Sequence, residues 1–253
     1  MPEKKLKSTI QAAMIGCFTT LIFFLPQSLK SQMQADTALL NLQKKNAVNI
    51  YYQSLQIQAG IYNGSEYVPY VNTLKEGHPY FDTTAILKGS VLYDGMQYND
   101  IPMLYDIITD QLIIQHYNKV FLVQLIRSKV DSFNLLGHSF VHLGRDSTKD
   151  NVKEGYYDLV YNGKTKFYVR RTKDIQESIP DMTVERRVYA HKRFFIYKNN
   201  MYNEVYNQAS VLALFKEKRG EIKQALRKQH IKFRKQREAA IALMAQQYDA
   251  LNP

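Results

Sequence analysis

The sequence has only one cysteine, Cys17, and it has no tryptophan. Cys17 lies in an apolar segment near the amino terminus. If that segment is removed as a signal peptide, the remaining chain has no thiol, which excludes disulfide bonds, thiol catalysis and thiolate metal sites. The core must then stabilise the fold without cross-links, and a chain of about 220 residues is long enough to supply such a core.

The common catalytic and cofactor motifs are also absent. There is no glycine-rich phosphate loop, no dinucleotide-binding fingerprint and no calcium-loop spacing. His138 and His142 would lie about 13 Å apart on a strand, and no glutamate follows His138, so the pair predicts no metal site. The segment Gly137–Val141 resembles half of a nucleophile elbow, but Val141 stands where the closing glycine is required. We therefore predict no catalytic residue, no metal ion and no cofactor.

Residues 1–31 have the layout of a secretory signal peptide. Three lysines lie within residues 4–7, the segment 10–25 is largely apolar, and Pro26 ends it. We predict cleavage after Ser31, although Leu29 is larger than the residue usually found three positions before the cleaved bond. The sequence thus indicates an exported protein of the periplasm or one associated with the outer membrane.

Two alternatives stay open for this amino-terminal segment. It could remain attached as an uncleaved signal anchor, although its apolar run is shorter than the roughly 20 residues of a membrane-spanning helix. Cys17 follows Met14, Ile15 and Gly16 as in a lipoprotein signal, but the apolar run continues for eight residues beyond it. For the mature chain we predict no integral membrane span.

The chain is strongly basic, with a formal net charge of +11. Four lysines and one glutamate of the predicted signal peptide account for +3 of this charge and leave +8 for the mature chain. Between Lys216 and Arg237 there are ten Lys or Arg residues against two Glu residues. In an exported protein such charge favours lipid headgroups or acidic glycans as partners rather than nucleic acid, and the simplest interpretation is a solvated surface.

Strand-forming residues dominate the predicted β domain, residues 61–207, after a predicted N-terminal helix within residues 32–60. Turn dipeptides separate eight to ten predicted strands, mostly in antiparallel meanders. The turns are expected at Asp94-Gly95, at Asn162-Gly163 with type I′ geometry, and at Asn199-Asn200. Residues 101–116 and 120–126 read as one hairpin, with Leu104–Ile114 as a buried central strand. Residues 133–143 read as a single strand, and residues 144–155 and 172–183 as loops.

From Gln208 onward the apolar period becomes helical. We predict one helix through Leu226, an extended stretch at His230–Phe233, and a second helix over Arg237–Leu251. Residues 208–253 thus form a helical extension packed on the β domain. The predicted fold is mainly β (α+β): an antiparallel β-sandwich or open β-barrel with an N-terminal helix and a C-terminal helical pair.

Several motifs carry a family resemblance that spans roughly residues 47–251. They are YNGSEY at Tyr62–Tyr67, GHPYF at Gly77–Phe81, GSVLYDG at Gly89–Gly95, LYD at Leu104–Asp106, and a tail with Val211–Lys216, Ile222, Leu226 and Phe233. Together they resemble a family of exported proteins of unknown function in Bacteroidota. The resemblance implies an envelope location and carries over no catalytic residues.

The stretch Ile86–Tyr117 contains the candidate ligand-binding residues. They are Tyr93, Tyr105, Asp106 and Asp110, together with His138 further along the chain. Asp106 and Asp110 are polar positions in an apolar run that the sequence does not explain. We expect a non-enzymatic envelope protein that binds a partner protein or an apolar or anionic ligand such as a lipid or glycan. The alternative is an envelope hydrolase that uses Asp and His side chains of the β domain.

Overall fold

The computed structural model describes residues 39–40, 42–44, 46–47, 50–51, 60–144 and 152–252. The predicted signal peptide and its cleavage site lie outside these residues. The described positions between 39 and 51 are helical, as predicted, and belong to a unit of their own; the ends of the predicted helix lie outside the described residues. The second unit contains the sheet and the C-terminal helices.

Eleven antiparallel strands form one sheet in the order β1-β5-β4-β3-β2-β6-β7-β8-β9-β10-β11. Two meanders, β2–β5 and β6–β11, join where β6 pairs with β2. The sheet is open, because its edge strands β1 and β11 have one neighbour each. The strand bounds are Ser65–Tyr67, Leu87–Tyr93, Met96–Asp106, Gln111–Gln115, Leu122–Gln124, Val130–Leu135, His138–Leu143, Gly155–Asn162, Lys166–Ser178, Glu185–Lys198 and Met201–Val205. The prediction of a mainly antiparallel β fold with a C-terminal helical pair is confirmed, with one strand more than the highest expected number.

The prediction of one buried strand over Leu104–Ile114 is wrong, because a turn at residues 107–110 divides it into β3 and β4. Asp106 makes this turn: its Oδ1 accepts the backbone N–H groups of Ile108 and Thr109, at 2.9 and 3.0 Å. Asp110 closes it with a φ of +57°. Aspartate tolerates both roles, and this turn chemistry outweighs the strand preference of the flanking apolar residues.

The single strand predicted over residues 133–143 is also wrong. β6 ends at Leu135 and β7 begins at His138, with Leu136 and Gly137 between them at φ +54° and +77°. Both central residues therefore have the positive φ of a type I′ hairpin turn. Leucine rarely adopts this conformation, so Gly137 was the only signal for the turn in the sequence. Gly137, the first residue of the segment that resembles half of a nucleophile elbow, therefore belongs to the β6–β7 hairpin turn.

The loop predicted at residues 172–183 is mostly strand, since β9 continues to Ser178 and β10 begins at Glu185. Cross-strand ion pairs such as Arg186 with Glu177, at 2.7 Å, suit a ribbon that is polar on both faces. Such a ribbon has no apolar alternation, which is why its sequence resembles a loop. The turns at Asp94-Gly95 and Asn199-Asn200 are confirmed, with positive φ at all four residues.

Three C-terminal helices pack on one face of strands β9 to β11. They are α1 at Gln208–Leu214, α2 at Arg219–Lys228 and α3 at Arg237–Ala250. The first helix of the predicted pair is broken after Leu214, where a short 3-10 turn replaces the continuous helix. The shared core includes Phe167, Val169, Phe194 and Ile196 from the strands, and Val211, Phe215, Ile222, Leu226, Ile241 and Met244 from the helical region. Burial of these side chains fixes the helices on the sheet.

The turn between β8 and β9 is clamped to the end of α3. Neither Asn162 nor Gly163 has a positive φ, so the predicted type I′ turn is wrong, although the hairpin itself is present. Asp249 instead accepts the hydroxyl of Tyr161 at 3.0 Å and both the backbone N–H and the hydroxyl of Thr165. A Cβ at Gly163 would collide with Asp249 and Tyr161, so glycine allows this close approach.

The sheet curls until the β3–β4 turn touches β9, although four strands separate β3 from β9 in the strand order. The backbone N–H of Lys173 donates to the carbonyl of Ile107 at 3.3 Å. On the inside of the curl, the Tyr105 ring lies 5.1 Å from both Phe133 and Phe140 and 5.8 Å from Tyr156. Aromatic side chains thus fill the concave side of the sheet at this end.

Candidate functional site: a cationic surface on the C-terminal helices

Asp106 is fully buried and its carboxylate is saturated with hydrogen bonds. Besides the two backbone N–H groups of the turn, Oδ2 accepts the hydroxyls of Tyr67 and Tyr70, both at 2.9 Å. Burial, followed by the nearby carboxylate of Asp106, raises the pKa of Tyr70 well above its usual value. Through these four contacts Asp106 holds the β3–β4 turn against the end of β1 and the segment that follows it.

Asp110 and Tyr105 are brought together, since the Tyr105 hydroxyl donates to Asp110 Oδ1 at 2.6 Å. Arg170 on β9 donates to Asp110 Oδ2 at 2.8 Å and to the carbonyl of Tyr156 at 2.6 Å. Burial opposes the charge of Arg170, but Asp110 outweighs it and the pKa of the guanidinium is raised. Burial also raises the pKa of Tyr105. Asp110 therefore joins the β3–β4 turn to β9 across the curl.

His138 and Tyr93 lie in different parts of the β domain. Tyr93 is a buried core residue at the end of β2. His138 Nδ1 lies 2.8 Å from Asp158 Oδ2, and the same oxygen accepts Nε of Arg171 at 2.8 Å. Arg171 in turn donates to Glu238 of α3 at 2.8 Å. This network, in which Asp158 and Arg171 are buried, fixes α3 on the sheet.

The five residues proposed from the sequence therefore divide into three groups: Tyr105, Asp106 and Asp110 at the β3–β4 turn, Tyr93 in the core, and His138 in the network that anchors α3. The polar atoms of all of them except Tyr93 make internal hydrogen bonds that position strands and helices. Among the described residues, no three His, Cys, Asp or Glu side chains lie close enough to hold a metal ion. Within the same part of the chain, no helix has both the length and the apolar character needed to cross a membrane.

The strongest functional feature is a surface that we call the cationic surface, the ten Lys and Arg residues from Lys216 to Arg237. Within the residues that the structure describes, none of these ten side chains has a carboxylate within ion-pair distance. Nine other cations of the same unit are paired, namely Lys75, Lys129, Arg170, Arg171, Arg186, Arg187, Lys192, Arg193 and Lys198. The fold thus neutralises many of its cations but not those of this surface.

Three of the unpaired cations lie at the end of a helix where they do not help it. Arg234, Lys235 and Arg237 precede or open α3, and Gln236 supplies no side-chain cap. The amino terminus of a helix carries partial positive charge, so each cation there costs about 0.3–1 kcal/mol. Glu238 is the one acidic residue of this first turn, and it is already bound to Arg171 and Lys192. Helix stability therefore does not account for these cations.

Two concave regions lie on the cationic surface. The first has a volume of about 570 Å³ and is lined by Gln208, Lys223, Leu226, Arg227 and residues 230–233. The second has a volume of about 680 Å³ and lies between the middle of β10 and the start of α3, where Arg234, Lys235 and Arg237 meet His191 and Lys192. The first therefore offers several positive charges to one bound anion, whereas Glu238 also lines the second and pairs with Lys192 there.

Comparison of the chain with known protein families, with curated proteins and with solved structures found no match to any of them. The choice of site thus depends on the geometry alone. The excess of ten cations over two glutamates was visible in the sequence, where a solvated helix face explains it equally well. All ten cations of this surface lack a carboxylate partner among the described residues, which the sequence could not show, because pairing depends on contacts between distant parts of the chain.

Proposed function

We propose that the protein is a non-enzymatic, exported envelope protein whose C-terminal helices bind the anionic surface of a membrane. The observation that carries this proposal is the lack of carboxylate partners for the ten cations of the cationic surface within the described residues. Each lysine or arginine near an anionic bilayer contributes about 1 kcal/mol of attraction. A few of these residues in simultaneous contact are therefore enough for measurable binding.

The arrangement of charge supports a surface rather than a single ion as the partner. The cations extend along α2, along the segment 229–236 and into the first turn of α3. The exposed side chains include Arg219, Arg227, Lys228, Lys232 and Lys235. A membrane presents many anionic headgroups at once and can neutralise charges that lie this far apart.

The predicted export would place the protein in the envelope, where it can meet an anionic membrane surface. The signal-peptide layout of residues 1–31 predicts that the mature chain begins at Gln32 in the periplasm. Mass spectrometry of the protein recovered from the envelope fraction tests this part. An N-terminal peptide that begins at Gln32 is expected. A cytoplasmic protein with an intact N-terminus would contradict export.

Vesicle binding tests the proposed partner directly. We expect the protein to co-sediment with vesicles that contain an anionic phospholipid and to stay in solution with purely zwitterionic vesicles. Raising the salt concentration from about 0.05 M to about 0.5 M should release it, because exposed charges are screened over a few ångströms at high salt. Binding that ignores both lipid charge and salt would contradict the proposal. Failure to bind vesicles, with retention on an acidic glycan or on an envelope protein instead, would also contradict it.

A further inference from the structure

We infer that the concave region between α2 and residues 230–233 binds one anionic amphiphile, a molecule with a phosphate headgroup and an alkyl chain. This inference rests on the proposed function and deepens it, because it assigns a single lipid-like molecule to one groove. The groove combines two chemical features. One is an apolar wall held by the backbone, and the other is a set of converging cations. Among the described residues, no carboxylate side chain lines it, whereas Glu238 lines the second concave region.

The apolar wall is built by the end of α2. His230 has a φ of +54°, and the next residue, Ile231, donates its backbone N–H to the carbonyl of Leu226 at 3.1 Å. This is the six-residue closure that ends many helices, and it brings the side chains of its first and last residues together. Leu226 is buried in the core, and Ile231 and Phe233 pack against the same core while remaining partly exposed. The wall is therefore fixed in place and partly accessible.

Stabilisation of α2 explains only one of the three cations in the groove. Arg227 lies in the last turn of α2, where a positive charge complements the carbonyl end of the helix. Lys223 lies one turn earlier and Lys232 lies beyond the helix, so neither receives this stabilisation. Lys223 and Arg227 are four residues apart on one helix face and point to the same side. The three side chains together offer a binding site for a phosphate group beside the apolar wall.

The size of the groove agrees with this class of ligand. A volume of about 570 Å³ lies within the range of roughly 300–1,000 Å³ that is usual for small-molecule sites. Inorganic phosphate would use the cations and leave Ile231 and Phe233 in contact with water. An alkyl alcohol would cover these two side chains and leave Lys223 and Lys232 without a partner. Only a molecule with both parts satisfies the whole groove.

Calorimetric titration of the protein with decyl phosphate tests the inference, with decanol and inorganic phosphate as separate probes. We expect saturable binding of one decyl phosphate per chain, and binding at least about tenfold weaker for each of the other two probes. The variant Lys223→Gln/Lys232→Gln should bind decyl phosphate about tenfold more weakly. The variant Lys88→Gln/Lys119→Gln removes the same charge from exposed positions of the β domain, outside the cationic surface, and should stay within about twofold of the unaltered protein.

Three results would overturn the inference. They are equal binding of inorganic phosphate and decyl phosphate, equal loss in the two variants, and no binding of decyl phosphate at all. If the protein does not bind decyl phosphate but does bind anionic vesicles in a salt-dependent way, the proposed ligand site in the groove is wrong and the proposed function stands. If the protein binds decyl phosphate but no vesicles, the proposed membrane association is wrong and the ligand site in the groove is supported.

Discussion

The hydroxyl of Tyr67 donates a 2.9 Å hydrogen bond to the buried carboxylate of Asp106, although 39 residues separate them in the chain. Tyr70 makes the same contact, and the backbone N–H groups of Ile108 and Thr109 occupy the other oxygen. Asp106 therefore connects the β3–β4 turn with the end of β1 and the segment after it. Its position in an LYD motif reflects this structural role.

Replacement of Asp106 should destabilise the fold strongly. Asp106→Ala leaves the buried hydroxyl of Tyr67, the partly buried hydroxyl of Tyr70 and two turn amides without their acceptor, and we expect a loss of about 3 kcal/mol in the free energy of unfolding. Tyr70→Phe removes one hydrogen bond and should cost about 1 kcal/mol. Urea denaturation of both variants measures the difference. A loss below about 1 kcal/mol for Asp106→Ala would contradict the structural role of this carboxylate.

The same chemical change at two glycines should have opposite effects on stability. Gly163→Ala places a Cβ against Asp249 and Tyr161 and should destabilise the protein by about 1–3 kcal/mol, because the clamp on α3 has to shift. Gly220→Ala lies in the first turn of α2 with no atom within 4 Å of the new Cβ, and it should stabilise by about 0.5 kcal/mol. Thermal unfolding compares the two variants. Equal effects would contradict the close approach at Gly163.

Glu238 should make stability depend on pH in the acid range. Burial opposes its ionisation, but hydrogen bonds from Arg171 and Lys192 outweigh burial and lower the pKa of this carboxyl group. A folded pKa below the unfolded value of about 4.3 stabilises the fold above that pH, and the stabilisation is lost as pH falls through the folded pKa. The free energy of unfolding should therefore fall more steeply below about pH 4.5 in the unaltered protein than in Glu238→Gln.

A second variant controls for the general effect of acid. Glu66 is exposed and has no ion-pair partner among the described residues. Glu66→Gln should therefore keep the steep dependence on pH that Glu238→Gln loses. If both variants show the same dependence, the link between Glu238 and Arg171 does not stabilise the folded state.

The sequence predicted the class of fold well, because its signals are local. Asp94-Gly95 and Asn199-Asn200 favour positive φ by their own chemistry, and the apolar period of α3 is visible without a partner. The missed features depend on distant contacts. Asp106 and Asp110 had no explanation in the sequence, since Tyr67 lies 39 residues and Arg170 lies 60 residues away from their respective carboxylates. The long β9–β10 ribbon was missed because charges pair across it instead of alternating with apolar residues.

The candidate site also depends on contacts that the sequence does not reveal. The basic composition of residues 216–237 is plain in the sequence, but whether these charges meet carboxylates depends on the fold. The Leu226–Ile231 closure was equally hidden, because it needs a histidine in a conformation that usually favours glycine. The structure places the five residues first proposed as a site within the β domain, where four of them bind other parts of the chain.

The most direct test of the central claim compares two triple variants with the same net charge. Lys232→Glu/Arg234→Glu/Lys235→Glu reverses three cations of the cationic surface, and Lys88→Glu/Lys119→Glu/Lys153→Glu reverses three exposed lysines of the β domain. Affinity for anionic vesicles is measured for both at about 0.1 M salt. We predict a loss of about 100-fold for the first variant, from about 1 kcal/mol for each basic residue at the membrane, and less than about threefold for the second. Equal losses would show that only net charge matters, and would contradict a membrane-binding surface on the C-terminal helices.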